Sequence, residues 1–107
     1  MVYTRESLEQ IRHQEAERQR RLADADAKKL RASVPKTRIV IPTNDMNYAK
    51  GLVRLAILDP KSSMDLIQTL REKLAIGRFQ SLMAMAKAFA VFQNEFEIAV
   101  KFRDLSQ

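Results

Sequence analysis

Apolar residues recur at helical spacing along most of this 107-residue chain, and a single short stretch alternates instead. From Thr4 to about Ala32 the chain consists of strong helix formers, with Thr4 or Ser7 placed to cap the start. The apolar stripe of this segment is thin. Leu8, Ile11, Leu22 and Ala25 share a track that Glu15 and Arg18 interrupt, and Ala23, Ala27 and Leu30 form a second stripe near the end. The pattern predicts a mostly solvated helix docked by its C-terminal end. Ser33-Val34-Pro35 stops it, because the residue before a proline is pushed out of the α region.

The alternating stretch is Lys36-Thr37-Arg38-Ile39-Val40-Ile41-Pro42. Read as a strand, it turns Thr37, Ile39 and Ile41 to one face and Lys36, Arg38 and Val40 to the other. A lone strand cannot satisfy its own backbone, so this reading calls for pairing with a second copy in a homodimer.

Helical spacing then resumes. Thr43 or Asn44 can cap a helix from about Asp45 to Leu58, in which Met46, Ala49, Leu52, Val53, Ala56 and Ile57 make an apolar face broad enough for burial on more than one side. Gly51 inside it costs about 1 kcal/mol relative to alanine, and close approach of another backbone is the usual compensation. Asp59 can cap a third helix with Pro60 at its first position, or Ser62 or Ser63 can cap a slightly later start; this helix carries Met64, Ile67, Leu70 and Leu74 and reaches about Ile76, where Gly77 is either its C-terminal cap or a residue within a longer helix. One last helix, about Arg78 to Asp104, follows with Phe79, Leu82, Met83, Ala86, Phe89, Phe92 and Phe96. The expected fold is therefore mainly α: a long N-terminal helix, one short strand and three further helices. Residues 1–34 read as a basic helical arm and 35–107 as a compact helical domain.

Charge turns attention to polyanions. The net charge is +6, and residues 1–38 carry ten Lys/Arg against six Asp/Glu. Arg18, Arg20, Arg21, Lys28, Lys29 and Arg31 form an auxiliary basic arm able to neutralise phosphates, although Glu15, Glu17, Asp24 and Asp26 are interleaved and Asp24 stands four residues before Lys28. Catalytic chemistry has little to work with. There is no cysteine, His13 is the only histidine, and the two glycines are too isolated for a phosphate-cradling loop, so neither enzyme nor metal nor cofactor is expected. The longest apolar run, Leu82 to Phe92, contains Lys87 and is far shorter than the roughly 20 residues of a membrane span. No secretory signal is visible at Met1, and the expectation is a cytoplasmic protein without a membrane partner.

The order strand, Pro42, helix, turn, helix resembles the ribbon-helix-helix family of DNA-binding proteins, of the Arc and MetJ type, over roughly residues 36–76. The resemblance rests on Arg38-Ile39-Val40-Ile41-Pro42, on Ala49, Leu52 and Val53, and on Ser63-Met64-Asp65-Leu66-Ile67 with Leu70. It implies a dimeric regulator of transcription, or an accessory factor, whose two-stranded ribbon enters the major groove of duplex DNA. By analogy Lys36, Arg38 and Val40 face base edges, while Lys61, Ser62 and Ser63 hold a phosphate at a helix N-terminus. The chain departs from the family in its turn, which carries Asp59-Pro60 and lacks the usual glycine. A competing expectation is a non-enzymatic helical adaptor or regulatory subunit that binds another protein through its apolar C-terminal helix.

Overall fold

The computed structural model describes residues 5–33 and 44–107, and these residues contain α-helices and no strand. The helices are α1 (Arg5–Ser33), α2 (Asp45–Leu58), α3 (Pro60–Lys73), α4 (Ile76–Phe92) and α5 (Phe96–Leu105). The expected fold of one strand and three following helices is thus corrected: four helices follow α1. The segment 36–42, to which the strand was assigned, lies outside the described residues. The expected homodimer rests on that segment's need for a partner and finds no support among the described residues.

The extra helix comes from a break in the predicted last one. Asn94 adopts φ 61°, its amide donates to the Val91 carbonyl at 3.0 Å, and the Glu95 amide donates to the Ala90 carbonyl at 2.8 Å. This pattern is a Schellman cap, in which asparagine takes the left-handed position usually given to glycine. It turns the chain so that α5 folds back on α4. Gly77, by contrast, lies in the first turn of α4, and α3 stops at Lys73 with Leu74 extended.

α2 is the central helix and packs against all four others. Ala49, Leu52, Val53 and Leu55 are buried from its several sides, beside Leu66 and Leu70 of α3, Phe79, Leu82, Met83, Ala86, Phe89 and Ala90 of α4, and Ala99 and Phe102 of α5. Of the predicted broad face of α2, Met46 is exposed, while the rest, Ala49, Leu52, Val53, Ala56 and Ile57, is buried or half-buried. The second stripe of α1 is borne out: Ala23 and Ala27 are buried in the same core and Leu30 packs against it. The first stripe stays outside, with Leu8, Ile11 and Leu22 each about half exposed.

Gly51 sets the distance between α1 and α2. A β-carbon there would stand 3.0 Å from both the Asp26 β-carbon and the Leu30 Cδ1, and 3.4 Å from the Asp26 carbonyl carbon. Alanine already strains this contact, and a branched side chain has no space. Gly51→Leu is expected to destabilise the fold by about 2 kcal/mol, the usual cost of overpacking. For a chain of this size that lowers the thermal midpoint by roughly 10 °C, measurable by circular dichroism.

Candidate functional site

The six cations of the predicted arm divide into two groups. Arg18 is held by Glu15 at 2.6 Å, Arg20 stands 3.8 Å from Glu17, and Arg31 reaches Asp59 at 3.1 Å. Arg21, Lys28 and Lys29 are exposed and have no carboxylate partner among the described residues. The pairing of Asp24 with Lys28 that the spacing suggests is not made. Asp24 instead receives a hydrogen bond from Arg54 of α2, and Arg54 keeps only 13 % of its side-chain surface exposed.

Helix geometry explains the division. Asp26 lies against Gly51 and Asp24 against Arg54, both on the sides of α1 turned toward α2. Arg18, Arg21, Ala25, Lys28, Lys29 and Ala32 are exposed and share an arc of about 100° on the opposite side. Between residues 18 and 32 no carboxylate shares that arc. The result is a cationic stripe roughly 16 Å long, from the helix rise of 1.5 Å per residue.

Further polar contacts fix α1 in place. The Lys50 ammonium donates to the Gln19 side chain at 2.8 Å and also lies 5.7 Å from the centre of the Phe89 ring. The Gln93 side-chain amide donates to the Ala16 carbonyl at 2.8 Å, tying the α4–α5 turn to the middle of α1. At the start of α2, Asp45 accepts from Arg78 of α4 at 3.0 Å, and this partner holds Arg78 charged to higher pH than usual. Hydrogen bonds from Arg18 and Gln19 hold the Glu15 carboxyl down at about 2.

The expected phosphate seat at the start of α3 is already filled. Asp59 caps α3, accepting from the Ser62 hydroxyl at 2.8 Å and the Ser62 amide at 3.3 Å, while it also ends α2 by donating its own amide to Leu55. These bonds, with Arg31 nearby, hold the Asp59 carboxyl below the usual carboxylate range. Ser63 is only 1 % exposed and its hydroxyl has no hydrogen-bond partner. Lys61 is exposed, and Lys36, Arg38 and Val40 lie outside the described residues. Lys61, Ser62 and Ser63 are thus neighbours in sequence that point to different surroundings, and a carboxylate occupies the place proposed for an anion.

A second surface is apolar. Val91, Phe92, Phe96 and Val100 flank the α4–α5 turn, each at least 43 % exposed, and the Phe92 ring stacks on buried Phe89 at 6.3 Å between centroids. The described residues contain no group of three or more His, Asp or Glu able to hold a metal, and no helix long and apolar enough to cross a membrane. Comparison with protein-family models, characterised proteins and solved structures finds no match to this chain.

Two outcomes test this description. Asp59 has a lowered pKa, so its stabilising contribution is present above its ordinary value and is lost as pH falls through the lower folded value. Asp59→Asn keeps a capping oxygen without the titrating charge. Its thermal midpoint is expected below wild type at neutral pH and to fall less between about pH 5 and pH 2, measured by circular dichroism. Ser63→Ala removes a buried hydroxyl that makes no bond, and chemical denaturation should show a gain of about 1 kcal/mol.

Proposed function

We propose that the protein is a small basic nucleic-acid-binding regulator or accessory factor that holds the phosphate backbone of a duplex along the outer face of α1. The observation carrying this reading is the stripe of Arg21, Lys28 and Lys29, exposed and free of carboxylate partners among the described residues. Exposed cations in register on a straight helix neutralise successive phosphates and release counterions, which gives affinity without base readout. From Arg21 to Lys29 the helix rises about 12 Å, the length of roughly three to four base pairs at 3.4 Å each. No tyrosine, phenylalanine or tryptophan lies between Arg5 and Ser33, so the reading is one of backbone contact and not of base stacking.

A second reading, a non-enzymatic helical adaptor, is favoured by the apolar corner of Val91, Phe92, Phe96 and Val100. The two readings differ in their salt dependence. For a 30-base-pair duplex followed by fluorescence anisotropy, the backbone reading predicts a slope of about −3 in log affinity against log salt. Arg21→Gln, Lys28→Gln and Lys29→Gln together should reduce that slope nearly to zero with the helical circular dichroism unchanged. Equal binding by wild type and triple variant would overturn the reading.

A further inference from the structure

Between α3 and α5 lies a half-open groove of about 550 Å³, to which α1 contributes no residue. Its apolar lining includes Met64 and Ile67 of α3 and Ile98 and Phe102 of α5, and Met64 is 70 % exposed at the edge. A single large-to-small truncation in a core opens a cavity on the order of 150 Å³, so this groove has room for about three or four apolar side chains. That is the number of anchors one face of a short amphipathic helix presents at positions i, i+3, i+4 and i+7.

The charges lining the groove are net positive, two cations against one carboxylate. Arg71, Lys101 and Asp104 line it, and the Asp104 carboxylate has Arg103 beside it at 3.4 Å. Arg71 is steadied by the Phe79 ring, whose centre lies 5.4 Å from its guanidinium carbon. Two cations, one of them pre-positioned over an aromatic ring, therefore border an apolar trough. Nucleic acid offers no row of aliphatic anchors to such a surface.

We infer that the α3–α5 groove docks an amphipathic helix of a partner protein whose apolar face is flanked by carboxylates. The apolar anchors displace water from Met64, Ile67 and Ile98, and the flanking carboxylates meet Arg71 and Lys101. The groove and the cationic stripe of α1 share no residue, so the inference stands independently of the nucleic-acid reading.

The test uses the full chain and two fluorescein-labelled designed helices with the same leucine face, one flanked by glutamates and one by lysines. The glutamate peptide is expected to bind at least tenfold more tightly by anisotropy, with amide chemical-shift changes concentrated in α3 and α5. Met64→Glu, at an exposed position, should weaken it at least tenfold with unchanged melting. Lys101→Glu should reduce the preference for glutamate flanks. Equal affinity for both peptides, shift changes confined to α1 or the α4–α5 turn, or binding of a fatty-acid probe such as octanoate but of neither peptide would each overturn the inference.

Discussion

The contact between α1 and Gly51 is the constraint on which the arrangement of the rest depends. With no side chain at this position, the backbone of α1 reaches α2 at Asp26, where a β-carbon would have only 3.0 Å of clearance. That approach buries Ala23 and Ala27, which are too small to bridge a wider gap. It also decides the rotation of α1 about its axis. Asp24 is brought to Arg54 and Arg31 to Asp59, so charges that would pair along the helix surface pair across the interface instead. The cations left over point outward together. A packing requirement in the core thus produces the charge pattern of the surface.

Much of the helical framework was legible because it rests on local chemistry. Asp59-Pro60 announces a helix start through a capping carboxylate and a preset first φ, and Asn44 announces another: its side chain accepts from the Asn47 amide at 3.0 Å. The broad apolar face of α2 foretold its central position. The break at Asn94 was signalled too, since asparagine tolerates the left-handed conformation, but the apolar periodicity runs across it from Phe92 to Phe96 and masks it. Periodicity reports which residues are apolar. It does not report whether the axis turns between them.

The candidate site was less legible because its charges pair over long separations. Asp24 and Lys28 satisfy the spacing rule for a helix-surface pair, yet Arg54, thirty residues away from Asp24, is the stronger partner because its guanidinium is largely removed from water. Similarly, Lys61, Ser62 and Ser63 look like an anion site as a string of residue types. A helix N-terminus attracts whichever anion is nearest, and here Asp59 is tethered to it by the chain itself. An external phosphate would have to displace a carboxylate whose tether gives it a high effective concentration.

The separation of the two proposed surfaces bears on whether binding at one would affect binding at the other. The stripe of α1 and the α3–α5 groove both connect to α2, the former through Asp24 and Arg54 and the latter through Ala56. Coupling between two sites requires an element with two arrangements of comparable energy, biased by both ligands. α2 is a continuous helix packed against all four others, which is a poor switch. If both proposed surfaces are occupied, binding at one is expected to leave affinity at the other unchanged, and the chain would then serve as a bridge. A bridge acts by raising the effective concentration of one partner near the other, and this needs rigidity in α2 and not movement.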